Sequence, residues 1–214
     1  MTGITPAVHA PLDTLSLAER AVALAEAAGG TEVEAVVSDE RAQLTRFANS
    51  EIHQNVAETN GSINLRVAIG KRVGVASSNR LDDEGLRRLA ETATAIARNS
   101  AELEDWGGLP EPTPITEIPA AWSDGTAGAT PEQRAEGVRA VIAAADSTGV
   151  RAFGSYSTAA EYLSVANSHG IRATQRRTSA QLLTVMMAVD GGSGYAEQTS
   201  VDATVIDAET IGHE

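Results

Sequence analysis

Residues 47–79 read FANSEIHQNVAETNGSINLRVAIGKRVGVASSN, and residues 165–200 read VANSHGIRATQRRTSAQLLTVMMAVDGGSGYAEQTS. The two stretches align when Asn49-Ser50 is placed over Asn167-Ser168. Both contain strand-forming runs rich in aliphatic and β-branched residues, interrupted by glycine-containing turn signals, which is typical of antiparallel strands. The repetition predicts that one structural unit occurs twice in the chain.

The first stretch is flanked by two predicted helices. The segment LSLAERAVALAEAAGG has apolar residues at helical spacing and a capping box formed by Ser16 and Glu19. Four strand-like runs follow, TEVEAVVS, QLTRFANSEI, GSINLRVAIG and RVGVASS, with turns predicted at Asn60-Gly61 and Gly70-Lys71. A second amphipathic helix is predicted from about Asp82 to Arg98.

A proline-rich segment separates the two stretches. Residues 99–129 include four prolines and cannot sustain a helix or a central strand. Thr130-Pro131 then begins a helix with a capping box to Gln133, and this helix ends at Gly149. Five strand-like runs follow, RAFGSYS, EYLSVANS, GIRATQRRTS, AQLLTVMMAV and YAEQTSV, and a last helix begins near Asp202.

The predicted fold class is therefore α+β, with two similar units that each run helix, antiparallel β-meander, helix. We expect the first unit in residues 1–118, with the proline-rich linker from about residue 99. The second is expected in residues 119–214, cut short in its last helix. The apolar stripe predicted for that helix consists of Val201, Val205, Ala208 and Ile211.

Composition limits the classes of function. The 29 acidic and 16 basic side chains give a formal net charge of -13, which repels a nucleic-acid backbone, so direct binding of nucleic acid is not expected. The chain has no cysteine, and it has neither a signal-peptide pattern at its start nor a long apolar run. These features predict a cytoplasmic protein without a membrane span.

The last two residues, His213-Glu214, allow two interpretations. They could begin a zinc-binding His-Glu-x-x-His helix, or they could be polar residues at an ordinary helix end. The second interpretation is favoured, because both residues fall beside the predicted apolar stripe and only the first two letters of the motif are present.

Two blocks of sequence resemble a known family. RFANSEIHQN with RVAIGKRVGVASSN, and VANSHGIRATQRRTS with YAEQTSVD, are similar to the amino-terminal region of the TldD/PmbA family. These cytosolic proteins were first described as modulators of DNA gyrase and are classed as zinc metallopeptidases. The resemblance runs from about Leu15 to Glu214, and the turn at 167–170 is more similar to the PmbA, or TldE, branch.

The resemblance implies proteolysis of peptides or unfolded segments by a hydrolase in which this region forms a substrate cleft and a subunit interface. The family's zinc motif belongs to the TldD-type subunit and lies in a later region. No catalytic residue and no metal ligand therefore carries over to this chain, and zinc is implied only for the complete enzyme or its partner. The implied partners are a second copy or a TldD-type subunit. The candidate substrate-binding residues are Asn49, His53, Asn167 and His169.

Several alternatives remain open from the residues alone. His53 could be a cross-strand polar neighbour, and turn chemistry alone explains His169. The basic cluster of Arg172 and Arg176-Arg177 is interpreted as a solvated strand face, and residues 190–194 as a hairpin turn. The chain could be a non-catalytic peptide-binding or scaffold subunit that captures extended peptides by strand addition. An unrelated small-molecule enzyme is the third hypothesis.

Overall fold

The structure is a computed structural model, and it describes residues 11–213. The helices are α1 (Thr14–Ala27), α2 (Asp83–Asn99), the short α3 (Asp124–Ala127), α4 (Pro131–Thr148) and α5 (Ala208–His213). The strands are β1 (Glu32–Ala48), β2 (Glu51–Ile69), β3 (Arg72–Ser78), β4 (Arg151–Asn167), β5 (Arg172–Met187) and β6 (Ser193–Ser200). No helix within residues 11–213 is long and apolar enough to cross a membrane.

The six strands form one sheet in the order β3-β2-β1-β4-β5-β6. Strands β2 and β3 pair antiparallel from Ile63 with Ser78, and β5 pairs antiparallel with β6 from Ala180 with Ser200. The α+β class and the antiparallel meanders are confirmed. Each half of the sequence follows the same order of a helix, three strands and a helix, and the two meanders occupy opposite sides of the sheet order.

The strands are fewer and longer than the sequence pattern predicts. Four predicted runs in the first half form three strands, and five in the second half also form three. The predicted turn at Asn60-Gly61 was wrong, since both residues lie inside β2. Gly61 serves close packing, because a Cβ there would lie 2.8 Å from Leu81 Cδ1 and 3.0 Å from Leu12 Cδ1.

The structure divides into two compact units built from separate stretches of the chain. The first unit comprises the described residues 11–39, 61–115 and 162–174, and the second comprises residues 40–60, 116–161 and 175–213. Each unit therefore takes residues from both sides of position 118. The predicted boundary near residue 118 concerns the sequence repeat and stays a prediction. The compact units follow from the four long strands, because each of these strands contributes residues to both units.

Each unit has its own apolar core. In the first unit, α1 and α2 pack on one another and α2 packs on β3, around buried residues that include Val33, Leu65 and Leu86. In the second unit, α4 and α5 pack together around buried residues that include Phe47 and Leu182. Burial of such aliphatic and aromatic surface is the main stabilising contribution to either unit.

Hydrogen bonds at two hairpin corners repeat the same pattern and support the internal duplication. The Ser50 amide donates to the Ala152 carbonyl over 2.9 Å, and the Ala152 amide donates to Ser50 Oγ over 3.2 Å. The Ser168 amide donates to the Val33 carbonyl over 2.8 Å, and the Val33 amide donates to Ser168 Oγ over 3.0 Å. Each serine follows the asparagine that the sequence alignment superposes, so the two corners share this hydrogen-bond pattern.

The helix starts agree with the sequence in one case and differ in another. The capping box of Thr130 and Gln133 at the start of α4 is confirmed, and α4 ends at Gly149 in the left-handed conformation. The capping box predicted from Ser16 was wrong. Helix α1 begins one turn earlier, because the Asp13 side chain accepts a hydrogen bond from the Ser16 amide over 3.0 Å.

The last helix is shorter than predicted. Two caps divide the segment: Asp202 accepts from the Thr204 amide at a 3-10 turn, and Asp207 accepts from the Thr210 amide at the start of α5. Val205, predicted to lie on the apolar stripe of this helix, is 56% exposed. The predicted continuous stripe was therefore wrong.

Ile211 is buried in the core of the second unit. The adjacent Gly212 allows a close approach to α4, since a Cβ at this glycine would lie 2.8 Å from Ala144 Cβ. Helix α5 therefore packs against the described chain through its last turn.

Candidate functional site

The β4–β5 corner is held by the amide side chain of Asn167. Its Oδ1 accepts hydrogen bonds from the amides of His169 (3.1 Å) and Ile171 (2.8 Å), which is the turn chemistry expected for asparagine. Its Nδ2 donates to the Pro110 carbonyl over 2.9 Å. Asn167 is 2% exposed, and both the oxygen and the nitrogen of its side-chain amide form hydrogen bonds within the first unit. Its role in the structure is therefore to hold the corner and the linker together.

Glu32, at the start of β1, binds the linker. Its carboxylate accepts hydrogen bonds from Trp106 Nε1 over 3.1 Å and from the Leu109 amide over 2.6 Å. Gly108 has φ +86°, and a Cβ there would lie 3.1 Å from Glu32 Oε2, so glycine serves both the left-handed backbone and the close approach.

The same contacts lower the pKa of Glu32 below its usual value of 4.5. The Leu109 hydrogen bond is the largest cause, burial opposes it, and the Trp106 hydrogen bond and the His169 imidazole add to the lowering.

His169 lies between two carboxylates of the first unit. Its Nε2 is 3.4 Å from Glu32 Oε2, and its Nδ1 is 3.1 Å from Glu111 Oε1. The imidazole is 26% exposed, whereas the Glu111 side chain is 77% exposed. The Nδ1 atom is buried, and its contact with Glu111 has the distance of an ion pair without the alignment of a hydrogen bond.

The other two candidate residues belong to the second unit. Asn49 has φ +52° in the two-residue turn between β1 and β2, and it is exposed. His53 is exposed on β2. The structure thus brings Asn167 and His169 together at one corner, and it places Asn49 and His53 at the corresponding hairpin of the other unit. A substrate-binding role for these four residues stays a prediction.

In each meander the middle strand is longer than the last strand, so part of its outer edge is unpaired in the described part of the chain. The middle strands are β2 and β5, and the last strands are β3 and β6. Strand β3 pairs with Ile63–Ile69 of β2, and no strand within residues 11–213 pairs with Glu51–Ser62 on that side. Strand β6 pairs with Ala180–Met187 of β5, and no described strand pairs with Arg172–Ser179 on that side. Such edges expose backbone donors and acceptors that can pair with another extended chain.

The edge of β2 is more open than that of β5. From Glu51 to Asn60 every side chain except Val56 is exposed, so this part of the strand has little cover on either face. Ile52 is 36% exposed there. An exposed strand edge that carries apolar side chains is typical of a surface that binds another chain.

The edge of β5 is partly covered by the linker. The Ser123 amide donates to Thr178 Oγ1 over 2.9 Å, and the Arg176 guanidinium lies 4.6 Å from the Trp122 ring centroid. Arg172 Nε lies 2.6 Å from Glu19 Oε1, and Arg177 pairs with a Glu161 oxygen. The basic cluster, interpreted from sequence as solvated, has a partner for each arginine.

Residues 11–213 contain no group of three or more histidine, cysteine, aspartate or glutamate residues that could hold a metal ion. His169 is engaged with carboxylates, and His213 is exposed at the end of α5, next to Glu214, which lies outside the described residues. These side chains do not fit the zinc that the family resemblance implies for the complete enzyme.

Comparison with known proteins gives one match to a family model. Residues 33–97 match the family model described as PmbA/TldA metallopeptidase domain 1. This segment of the chain is therefore similar to the first domain of that family. Comparison with curated proteins returned no match.

Solved structures of proteins with this fold are similar over almost the whole chain. TldE from Thermococcus kodakarensis has a TM-score of 0.78 at 20% identity, covering 91% of this chain and 45% of that protein. A putative modulator of DNA gyrase from Bacteroides thetaiotaomicron has a TM-score of 0.79 at 16% identity, with coverages of 92% and 47%. A third, from Thermotoga maritima, has a TM-score of 0.73 at 14% identity, with coverages of 91% and 45%. The chain therefore spans slightly less than half the length of these three structures.

Sequence reasoning identified the Asn167–Gly170 turn but missed what it binds. Glu32 and Glu111 are far from His169 in sequence, and neither lies in a recognisable motif. The sequence shows a proline-rich linker and a polar turn, but these features do not indicate that Glu32 and Glu111 contact His169.

Proposed function

We propose that this chain is the amino-terminal region of a TldD/PmbA-type zinc metallopeptidase that cleaves peptides or unfolded segments. In this role it shapes the substrate cleft and the subunit interface, and the zinc motif lies outside this chain. The proposal rests on the first-domain match at residues 33–97 and on relatives about twice as long as this chain.

The observation that carries the proposal is the open edge of β2. The Glu51–Ser62 segment offers backbone N–H and C=O groups on its outer side, and its side chains up to Asn60 are mostly exposed. An extended polypeptide can add to such an edge through main-chain hydrogen bonds, which read the backbone and not a particular sequence. This mode suits substrates that are unfolded, and it equally suits an interface with a second subunit.

A second candidate function rests on the metal ligands. Since the described residues do not fit zinc, the chain could belong to a non-catalytic peptide-binding or scaffold subunit that partners a zinc-bearing TldD-type subunit. The edge of β2 would then hold the substrate or the partner while all chemistry occurs on the other protein.

The test compares two isoleucines with similar exposure. Ile52 lies on the open edge of β2 and is 36% exposed, and Ile96 lies on α2 and is 41% exposed. Replacing Ile52 with lysine places a charge against an added strand, so we expect Ile52→Lys to weaken edge binding about tenfold, or about 1.4 kcal/mol. We expect Ile96→Lys to bind as the unchanged chain does.

Two binding measurements test the edge of β2, and a third measurement, of peptide cleavage, separates the two candidate functions. Fluorescence anisotropy would report binding of a reduced, carboxymethylated polypeptide, and light scattering would report association with a TldD-type subunit. Equal binding by Ile52→Lys and Ile96→Lys would remove the edge from the proposal. Peptide cleavage by a longer form of this same protein supports the first candidate, and cleavage only in the presence of a zinc-bearing partner supports the second.

A further inference from the structure

The linker is fastened to the first unit by a small set of contacts that we call the linker latch. It consists of Glu32, Asn167 and His169 acting on linker residues 106–111. Glu32 accepts from the Leu109 amide, and Asn167 donates to the Pro110 carbonyl, so both hold the linker backbone. The Leu109 side chain is 6% exposed, which adds apolar burial to the polar contacts.

His169 is the histidine of the latch. Histidine is the side chain that ordinarily gains or loses its proton between about pH 5 and 8. The titratable groups that face the imidazole are Glu32 at the start of β1 and Glu111 in the linker. The next charged residue on β5, Arg172, is paired with Glu19.

The two protonation states of the His169 imidazole differ in how strongly they attract the neighbouring carboxylates. A protonated imidazole is attracted to a carboxylate on each side, one from β1 and one from the linker, and so joins the linker to the unit. A neutral imidazole supplies no positive charge to either carboxylate. It has only one N–H, so it can donate to one carboxylate, and its other nitrogen presents a lone pair to the second. Since Nδ1 is buried with no aligned hydrogen-bond partner, loss of the proton leaves that contact weak.

We propose that the linker latch is pH-sensitive, with protonated His169 fastening the linker to the first unit and neutral His169 loosening it. The sign follows from the charges: the latch is tighter on the acidic side of the histidine range and looser above it. This inference goes beyond the proposed function and does not depend on peptidase activity. It concerns the segment that leads to the exposed Ile115 and Ile118, which are 59% and 58% exposed.

Hydrogen exchange of the Leu109 amide tests the proposal, because this amide donates directly to Glu32. The chain would be compared at about pH 5.5 and about pH 8, after correction for the intrinsic pH dependence of exchange. We expect the protection factor to fall about two- to fivefold from the lower to the higher pH, as for a partly exposed ion pair.

Matched variants decide whether His169 is responsible. We expect His169→Gln to abolish the pH difference and Glu111→Gln to reduce it, whereas His53→Gln and Glu117→Gln should keep it. Glu111 is largely exposed, so its variant remains informative even if His169→Gln does not fold. An unchanged pH difference in Glu111→Gln and in folded His169→Gln, or no difference in the unchanged chain, would overturn the proposal.

Discussion

Single serine side chains fix the two hairpin corners. Ser50 Oγ accepts the Ala152 amide, and Ser168 Oγ accepts the Val33 amide, and the residues that own these amides are fully buried. We expect Ser50→Ala and Ser168→Ala each to lower the free energy of unfolding by about 1 kcal/mol, because a buried N–H loses its acceptor.

Urea denaturation measures these changes, with exposed Ser77→Ala as the control that should stay within about 0.5 kcal/mol of the unchanged chain. Similar losses for the two corners would agree with their structural equivalence. A loss at one corner with none at the other would count against it.

The carboxylate of Glu32 gives a pH dependence in the acid range. Its folded pKa is lowered below 4.5, chiefly by the Leu109 hydrogen bond. A carboxyl group with a lowered folded pKa contributes stability above its unfolded pKa and loses that contribution as the pH falls through the folded value. We expect the stability difference between the unchanged chain and Glu32→Gln to shrink as the pH falls below about 4.5. Thermal unfolding of both proteins across this range would contradict the assignment if the difference stayed constant.

The sequence predicted the turn in which two of the candidate residues lie, but it could not predict the partners of their side chains. Asparagine in an Asn-Ser-His-Gly stretch indicates a turn, and Asn167 does hold that turn. The carboxylates beside His169 come from a strand start and a linker, so only the tertiary fold joins them. Arg134, near the start of α4, is a second case: it is 1% exposed and donates to the Ala129 carbonyl and to Thr158 Oγ1, and neither partner could be predicted from the sequence.

At the scale of elements, a glycine lets β3 lie directly on α2. A Cβ on Gly74 would be 2.3 Å from the Ala93 carbonyl oxygen and 2.4 Å from the Ala97 nitrogen. Gly194, which lies over Gly74 when the second stretch is given a two-residue insertion in its second turn, has nothing within 4 Å of such an atom. We expect Gly74→Ala to lower the free energy of unfolding by about 3 kcal/mol, because helix backbone cannot move aside cheaply.

Gly194→Ala is the matched control, and we expect it to change stability by less than about 1 kcal/mol. Chemical denaturation of both variants measures the comparison. Equal effects of the two substitutions would show that the β3–α2 contact is not as close as the structure has it.

Sequence predicted the helices better than the strand boundaries. Helical ends carry specific chemistry, as the Thr130 capping box and Gly149 do, so their positions could be predicted. A strand has no comparable end signal, and Asn-Gly is the usual signal of a hairpin turn. The hairpin turn predicted from Asn60-Gly61 was wrong, because Gly61 lies within the continuous strand β2 and packs close to the side chains of Leu81 and Leu12.

At the scale of the whole molecule, the repeat in sequence becomes a repeat in topology. The two halves share their order of elements and the hydrogen bonding of their corners. What could not be predicted is that the compact units exchange strand segments, since this depends on four strands each long enough to contribute to both units. The duplicated plan leaves an unpaired strand edge in each half, and the linker covers part of one of them.

The central claim is that this chain binds and positions polypeptide while zinc chemistry belongs to residues outside it. Residues 11–213 offer no group of side chains suited to a metal. In the proposed function, such a group lies in a further region of the same protein or on a TldD-type subunit.

The most direct measurement combines zinc content and peptidase activity of the purified 214-residue chain, alone and together with a zinc-bearing TldD-type subunit. We expect no stoichiometric zinc and no cleavage of an unfolded polypeptide by the chain alone. We expect chelator-sensitive cleavage only when the zinc-bearing protein is present. Tight one-to-one zinc with chelator-sensitive peptidase activity in this chain by itself would contradict the account.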